Sequence, residues 1–549
     1  MGLDKRMKKR IQQIDKNLDA IVKNPYEKEH IVEKKESRFP LWAKWAIPFS
    51  SVALACSLTL AIVLPTANRN NAVGPIDGGS PTVANNSKEK GGSHNHEPMG
   101  GDDSELKGQT EDSAPARSDP NIPYENYSML APATVNKYSA TRNLTMSQTT
   151  YNSYTAFAKK FAKLMIQLGN ANGEKSLGVS IPDAYLCFAI SGIISSPAAC
   201  NDVLSYLGLS STEELKTASR EIISTLGTLS KSSQDKYVGG YNLNSIWVDP
   251  DQIGLLEGEE KDEDLYEDLA GVYDVSLINE AFKDAKANKY LKDNAPQGFP
   301  SPEVKLDRDD NPPAMAVMSA FYFMDLLRDT EIYQNQYESG THLKNYTFNG
   351  MSKSVNYIDY LDYSGQYYTG DGFHAAAIDM WQSSIYFYLP DSQTAMPSTI
   401  LDKVLNRNYV AETVTGQDGR EYSWYRVEVN APYFKMDNEI ELKEGPLQEI
   451  LPVITSDGMG SRLLNDSLFL SGIYQFSTMS FDYRGFYSAS VTIATGDTAA
   501  PGGPDFTLDV DHPFIFETRK DVTVAGNNLT VPVVIGEVVD PAYPAYQAS

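Results

Sequence analysis

Side chains suited to acid–base or nucleophilic chemistry are few in the part of the chain that is expected to fold. Its histidines are His342, His374 and His512, and histidine is the side chain whose charge changes most readily near neutral pH. The tetrapeptide from Ser233 to Lys236 spells S-x-x-K, but it lies in a polar turn without a companion K-T-G strand. The sequence contains no H-E-x-x-H, G-x-S-x-G or phosphate-loop motif. These residues therefore give little support to a hydrolase or another enzyme.

The most informative stretch lies near the C-terminus. Apolar and polar residues alternate around Val491, which predicts a strand with one buried face. The segment Gly496 to Pro504 interrupts this pattern, because proline lacks a ladder donor and glycine weakens a strand. Phe514 to Glu517 and Val531 to Val539 then read as buried strands, separated by a turn at Ala525 to Asn528. The predicted order is strand, exposed loop, strand, turn, strand.

At these residues the chain resembles the serpin family, whose members end in a phenylalanine shortly before D-H-P-F-L-F, an apolar strand, G-R-V and N-P. The matching residues are Phe506, His512, Pro513, Phe514, Phe516, Gly536, Val538 and Pro541. In this motif the resemblance implies that His512 is a packed, hydrogen-bonded residue and not a catalytic one.

The resemblance continues upstream in the family's order over about 400 residues. Ser180 opens the segment S-I-P-D-A-Y-L-C-F-A-I, which is similar to the family's entry into a central buried helix. Helical spacing independently predicts a helix at Thr150 to Leu168. The other similar segments are helices at Ser196 to Leu209 and Ile278 to Leu291, and strands at Leu243 to Val248, Ala316 to Phe323 and Ser384 to Pro390. The segment Val427 to Leu442 also matches a family segment, through Pro432, Phe434 and Leu442. The implied fold is α+β, with about eight or nine helices and three β-sheets.

The resemblance implies a function without a cofactor. Serpins inhibit serine or cysteine proteases by offering an exposed loop as bait. The protease cleaves the loop and stays attached as an acyl-enzyme, while the freed loop enters the main sheet as a new strand. The implied partner is an extracellular protease, and the implied requirements are a metastable sheet, a hinge of small residues and a sufficiently long loop.

The loop itself departs from the family pattern. The family hinge, E-E-G-T-x-A-A-A, aligns with the start of the predicted loop, but both glutamates are missing and Pro501 interrupts the alanine run. Twelve residues from Ala494 to Asp505 span at most about 40 Å. The sequence thus predicts a loop too short and too proline-broken for the standard trap. The candidate hinge and reactive-loop residues are Thr495, Gly496, Asp497, Thr498, Ala499, Ala500, Pro501, Gly502, Gly503 and Pro504.

Two functional hypotheses follow from this departure. One is a surface-anchored inhibitor of serine-type or cysteine endopeptidases, and the other is a non-inhibitory serpin-fold protein that acts in binding at the surface. The sequence leaves both open, together with the target protease or ligand and the scissile bond.

The N-terminal region predicts a membrane anchor. Residues 1–44 carry twelve Lys or Arg against seven Asp or Glu, and Trp45 to Ala67 is an apolar run without a charge. Such a run is long enough to span a bilayer, and the positive flank places residues 1–44 in the cytoplasm. A cleaved signal peptide and a lipoprotein site at Cys56 are the rival interpretations. Residues 68–123 have the composition of a disordered extracellular linker, residues 124–541 form the predicted serpin-like domain, and residues 542–549 a C-terminal tail.

Charge and cysteine content limit the partners further. The net charge is −25, and so acidic a surface repels phosphate backbones, which argues against nucleic-acid binding. The acidic run Glu257 to Asp268 lacks the spacing of a calcium loop and predicts a solvated loop, so no metal site is expected. Cys187 and Cys200 lie close in sequence, and both a disulfide and two free thiols are consistent with their positions.

Overall fold

The computed structural model describes residues 129–131, 145–173, 176–231, 237–296, 299, 301–306, 310–327, 342–348, 350–415, 421–423, 425–443, 445–487 and 504–541. All of them belong to one of the two units into which the chain divides, Leu106–Ser549.

Helices start where the sequence supplies a cap or a proline. Helix α1 (Gln148–Asn172) follows Ser147, whose hydroxyl accepts a hydrogen bond from the backbone N–H of Thr150, and helix α2 (Pro182–Ile193) has proline at its first position. The other described α-helices are α3 (Pro197–Leu207), α4 (Thr212–Thr225), α5 (Glu263–Gly271), α6 (Asp284–Asn294), α7 (Leu401–Leu405) and α8 (Gly445–Ile450). Short 3₁₀ turns occur at Gly258–Glu260 and Pro397–Thr399, and a π-helical turn at Ile454–Gly458.

The central sheet contains eight strands and is buried on both faces by neighbouring layers. In spatial order it runs β1 (Met129–Ala131), β6 (Val275–Ile278), β5 (Tyr237–Val248), β7 (Met315–Leu326), β19 (Gly485–Tyr487), β18 (Gly472–Asp482) and β17 (Phe434–Lys443), with β4 (Leu229–Lys231) also paired to β5.

The second sheet also contains eight strands. Its order is β13 (Tyr409–Ala411), β10 (Tyr367–Gly370), β11 (Phe373–Asp379), β12 (Ser383–Pro390), β21 (Phe514–Val524), β22 (Asn527–Val538) and β3 (Ser176–Ser180), with β2 (Thr145–Met146) paired to β21. The hairpin between β21 and β22 turns at Ala525 and Gly526, which have φ angles of 49° and 83°. Two successive left-handed residues give the turn that suits a tight hairpin.

A four-stranded third sheet contains β20, the strand that follows the loop predicted to be exposed. Its order is β20 (Phe506–Asp509), β16 (Tyr425–Pro432), β9 (Met351–Gly365) and β8 (Leu343–Phe348). A separate two-stranded ribbon joins β14 (Val414–Thr415) to β15 (Glu421–Tyr422).

Two apolar cores hold these layers together. Between the central and second sheets, Phe434, Phe481, Phe486, Phe514 and Phe516 belong to one buried cluster. On the other face of the central sheet, helix α6 packs Tyr290 edge-on against Trp247, with ring centroids 5.7 Å apart. Because both faces are covered, β7 reads as the nearly continuous apolar run M-A-V-M-S-A-F-Y-F.

The α+β class, the three main sheets and most of the predicted elements are confirmed. Two predictions were wrong. Within the predicted helix Ile278 to Leu291, β6 ends at Ile278 and α6 begins only at Asp284, because Val275–Ile278 pairs in parallel with β5. The acidic run predicted as a loop contains α5: the side chain of Asp262 caps the backbone N–H of Leu265, and Leu265 and Leu269 are buried one turn apart.

The predicted membrane anchor, Trp45 to Ala67, and the predicted linker lie outside the described residues. Within the described part of the chain, no helix is long and apolar enough to cross a bilayer.

Candidate functional site

A tight hairpin connects β18 to β19 at the C-terminal end of β18. The carboxylate of Asp482, which is fully buried, accepts hydrogen bonds from the backbone N–H of Arg484 at 2.8 Å and from its guanidinium Nε at 3.0 Å. Gly485 has a φ of +137°, and a Cβ there would lie 2.2 Å from the backbone carbonyl oxygen of Asp325. Only glycine fits this approach, so the chain reverses at Tyr483 and Arg484.

The returning strand β19 enters the central sheet between β7 and β18. It runs antiparallel to both, with Tyr487 opposite Met324 of β7 and Ser480 of β18. Phe486 is buried beneath the sheet, with its ring centroid 5.8 Å from that of Phe516. The strand thus occupies the end of the space between β7 and β18.

Beyond β19, the described residues leave a groove between β7 and β18. Among the described strands, β19 alone pairs with the facing edges of β7 and β18, and its three residues cover only Met324–Leu326 and Ser480–Asp482. Along Met315–Phe323 of β7 and Gly472–Met479 of β18 the groove contains a cavity of about 210 Å³. Facing strand edges present backbone N–H and C=O groups that only another strand can pair in a regular ladder.

Side chains from three layers line the groove. On the side of the second sheet, Val317 and Ser319 of β7 and Gln475 of β18 face helix α2, and on the other side Leu291 comes from α6. Near the middle, the Ser319 hydroxyl donates to Asn244 Oδ1 at 2.7 Å, and Gln475 Nε2 donates to the backbone carbonyl of Ser180 at 2.7 Å. The groove is therefore mostly apolar, with a row of polar side chains across its centre.

Two buried ionisable side chains, Asp325 of β7 and Lys520 of β21, lie near β19, and Asp325 pairs with Phe486 of that strand. Asp325 accepts hydrogen bonds from the backbone N–H of Gln382 at 2.8 Å and from the Ser383 hydroxyl at 2.6 Å. Burial raises the pKa of Asp325 to about 6 and lowers the pKa of Lys520 to about 8. Both shifts have the same cause, since a buried site disfavours the charged form of either group.

Solved structures share this architecture at low sequence identity. A thermophilic serpin, tengpin, in its native state superposes with a TM-score of 0.55 at 17% identity, covering 75% of this chain and 99% of its own. Serpin48 of the insect Tenebrio molitor gives 0.52 at 15% identity over 71% and 98% of the two chains. Thyroxine-binding globulin in complex with thyroxine gives 0.52 at 14% identity over 71% and 99%. The described chain has the serpin fold.

No protein-family model matches the sequence, and no curated protein does so either.

The signature residues occupy structural positions in this serpin fold. Phe506 opens β20 and stacks on Tyr367 with centroids 4.9 Å apart, and Phe514 and Phe516 are fully buried. A Cβ on Gly536 would lie 2.4 Å from the backbone carbonyl oxygen of Leu177. Pro513 directly precedes β21, and the carbonyl of Pro541 accepts a hydrogen bond from Lys353 at 2.8 Å.

His512 is packed, as the resemblance implied. Its Nε2 donates to the backbone carbonyl of Pro390 at 2.7 Å, and its Nδ1 lies 2.6 Å from the carboxylate of Asp511. With an acceptor at each ring nitrogen, His512 is already fully engaged. The two other candidate histidines pair with acids, His342 with Asp359 at 2.6 Å and His374 with Asp391 at 3.4 Å. Ser233 and Lys236 lie outside the described residues.

The strand before the loop ends earlier than the sequence analysis placed it. Strand β18 ends at Asp482 and β20 begins at Phe506, so twenty-three residues separate them, not the twelve counted from Ala494. Val491 and the candidate loop residues Thr495 to Gly503 lie outside the described residues, while Pro504 is exposed and lies two residues before the start of β20. Sequence reasoning missed β19, although Gly485 after F-D-Y-R, followed by two aromatic residues, is a hairpin signal.

The two cysteines are free thiols. Cys187 lies on α2 facing the groove, and Cys200 is buried on α3. Of the two alternatives that the sequence left open, the structure has the unbridged one.

Proposed function

We propose that this protein inhibits endopeptidases, using the segment between Tyr487 and Pro504 as bait and taking the first part of that segment into the groove. The observation that carries the proposal is the open groove between β7 and β18, with β19 already seated at one end of it. An inhibitor that traps its protease by strand insertion needs such a vacancy before cleavage.

The register of β19 indicates which residues would fill the groove. Gly485 lies opposite Leu326, and Tyr487 opposite Met324. If the same register continued, residues 488–496 would face β7 from Phe323 to Met315. These nine residues read S-A-S-V-T-I-A-T-G and include no proline. Pro501 and Pro504 would lie beyond the end of the inserted strand. In this register their missing backbone donors would not interrupt its ladder.

The length of the segment supports the same function. Nine of the twenty-three residues after Asp482 would fill the groove and three already form β19. Before cleavage, all eighteen residues from 488 to 505 would connect β19 to β20 and present the scissile bond. The hinge glycine of this chain would then be Gly485, eleven residues before Gly496, the glycine of the hinge alignment made from the sequence.

The alternative is a non-inhibitory serpin-fold binding protein. It is favoured by the large hinge residues Phe486 and Tyr487, where an inhibitory family member has small ones, and by the buried contacts that hold Phe486. Thyroxine-binding globulin, one of the structural neighbours, binds a small molecule. The groove would then serve to hold a ligand or to stabilise a fixed surface.

A protease panel tests the proposal. Full-length protein incubated with serine and cysteine endopeptidases is expected to give a covalent complex that survives SDS with at least one of them. The variant Val491→Pro places a residue without a donor in the middle of the inserting strand, and it is expected to be cleaved as a substrate without forming a complex. Val491→Thr, which keeps both the β-branched shape and the backbone donor at the same position, is the matched control and is expected to retain the complex. Cleavage without any complex across the whole panel would favour the binding protein.

We also propose that the protein is anchored in the cell membrane by Trp45 to Ala67, with the serpin-fold unit outside the cell. The support is the uncharged apolar run and its basic N-terminal flank. Protease added to intact cells is expected to release the serpin-fold unit, whereas protection until lysis would contradict this orientation.

A further inference from the structure

The centre of the groove contains hydrogen-bond acceptors that lack donors. Gln475 and Ser180 are 5% and 7% exposed, and neither Gln475 Oε1 nor Ser180 Oγ has a hydrogen-bond partner in the described part of the chain. The same holds for Oδ1 of Asp183 at the start of α2. All three side chains line the groove. Buried polar atoms are nearly always satisfied in native proteins, so this cluster is suited to a ligand that brings donors.

Asp183 adds a negative charge to this cluster. Its Oδ2 receives a long hydrogen bond from Gln475 Nε2 at 3.5 Å, and the Ser180 hydroxyl and the backbone N–H groups of Asp183 and Ala184 also interact with this carboxylate. It forms no ion pair with a described residue. Burial raises the pKa of Asp183 to about 6. A carboxylate in such a place is either protonated or compensated by a cation.

The surroundings of the acid are apolar. Phe161, Ala184, Val317 and Met479 line the same cavity of about 210 Å³. That space accommodates a body of roughly ten non-hydrogen atoms, given that a single water needs about 10–15 Å³ of such volume. The cavity thus combines an anionic, acceptor-rich centre with apolar walls, a common composition for a small-molecule site.

We propose that the centre of the groove binds a small organic cation, namely a primary ammonium group on an apolar body of about this size. An ammonium group has donors for Asp183, Gln475 and Ser180 at once and neutralises the carboxylate. A neutral alcohol has one donor and leaves the charge uncompensated, and a carboxylate ligand is repelled.

The pH dependence follows from the groups around Asp183. The titratable side chains that interact with it are Tyr154 and Cys187, and burial raises the pKa of both, of Cys187 to about 12. Both stay neutral between pH 5 and pH 8, so Asp183 alone changes charge there. With a pKa of about 6, roughly one molecule in ten carries the carboxylate at pH 5. Affinity for the ammonium is therefore expected to fall about tenfold between pH 7.5 and pH 5.

One consequence rests on the proposed function. A cation at Asp183 lies in the path of residues 488–496, so a bound ligand would slow strand insertion and turn the inhibitor into a substrate of its protease. This ligand effect is a regulation of the same groove, whereas the binding itself does not depend on protease inhibition.

Calorimetric titration of the full-length protein tests the binding directly. The probes are cyclohexylmethylammonium and its neutral counterpart cyclohexylmethanol. Saturable binding of the ammonium, at least tenfold tighter than that of the alcohol, is expected at pH 7.5. In the isosteric variant Asp183→Asn this preference is expected to disappear, whereas Asp371→Asn, which removes an exposed carboxylate paired with Lys403, leaves it unchanged.

Two results would overturn the inference: equal affinity for the two probes in the wild-type protein, or an ammonium affinity that does not change between pH 5 and pH 7.5. The second measurement uses the unaltered chain, so a misfolded variant cannot obscure it. Because the titration contains no protease, a negative protease panel leaves this result standing, and covalent complexes in the absence of ammonium binding would refute this inference alone.

Discussion

The two eight-stranded sheets differ in how continuously their neighbouring strands are paired. In the second sheet, β12, β21, β22 and β3 are paired along their shared edges, including a ladder between β21 and β22 that extends from Phe514 to Val524. In the central sheet, β7 and β18 are joined only through the three residues of β19 among the described strands. Both sheets contribute buried side chains to the same aromatic core.

The difference shows where this fold can store free energy. Closing the second sheet leaves its inner backbone groups satisfied, whereas along the groove the facing edges of β7 and β18 have no ladder partner among the described strands. A net hydrogen bond contributes about 1 kcal/mol, so a nine-residue vacancy represents a substantial unrealised stabilisation. We therefore expect the second sheet to keep its strand pairing, whereas the central sheet has room to accept another strand.

The largest expected effect concerns two paired glycines, Gly178 of β3 and Gly536 of β22, because one faces fixed backbone and the other a movable side chain. Gly536 is paired with Gly178. A Cβ on Gly536 would meet the fixed backbone carbonyl of Leu177 at 2.4 Å, whereas one on Gly178 would meet the side-chain sulfur of Met479 at 2.3 Å. Met479 borders the groove and has room to move. We expect Gly536→Ala to lower the free energy of unfolding by about 3–5 kcal/mol and Gly178→Ala by less than about 1 kcal/mol.

Urea unfolding of the two variants measures this difference. Equal losses at the two positions would show that the groove side is as tightly packed as the closed sheet, and would remove the basis of the comparison.

The pH dependence of Asp325 gives the next effect. Its folded pKa of about 6 exceeds the ordinary value of 3.8, so the folded protein keeps a proton that the unfolded chain has already released. This contribution to stability is complete below pH 3.8 and is lost as the pH rises through 6. The stability of the wild-type protein relative to Asp325→Asn is expected to decrease by about 2–3 kcal/mol between pH 4 and pH 7.

Unfolding free energies of both proteins across this range give the measurement. A relative stability that stays flat, or one that rises with pH, would mean that Asp325 is not desolvated beneath the entry of β19.

The smallest expected effect concerns the hairpin that starts β19. Arg484→Met leaves the buried carboxylate of Asp482 with the backbone N–H of residue 484 as its remaining partner from that residue. Because the arginine side chain is partly exposed, we expect a loss of about 1–2 kcal/mol, less than for a fully buried pair. Hydrogen exchange at Phe486 and Tyr487 is expected to accelerate while exchange in β21 and β22 stays unchanged. Uniform acceleration in both sheets would indicate global destabilisation and not a local release of β19.

The sequence predicted those elements whose local pattern and burial agree. The buried helix after Ser180 and the turn at Ala525 follow from proline position and glycine placement. The segment Val427 to Leu442 was recognised by resemblance, and it forms two strands, β16 and β17, that belong to different sheets. The candidate site was harder to predict from the sequence, because the position of the hinge depends on how β19 pairs with β7 and β18. Val491 has good strand character, so local pattern alone could not show that β18 ends at Asp482. Helix α5 was missed because its buried leucines are few among acidic residues.

The most direct test of the central claim is a thermal melt of the full-length protein before and after a single cut between Asp497 and Gly503. The account predicts that residues 488–496 then enter the groove and raise the melting temperature by about 20 °C, because some nine ladder positions become paired. The same cut in Val491→Pro is expected to produce little change. An unchanged or lower melting temperature in the cut wild-type protein would contradict strand insertion and leave the groove as a binding site.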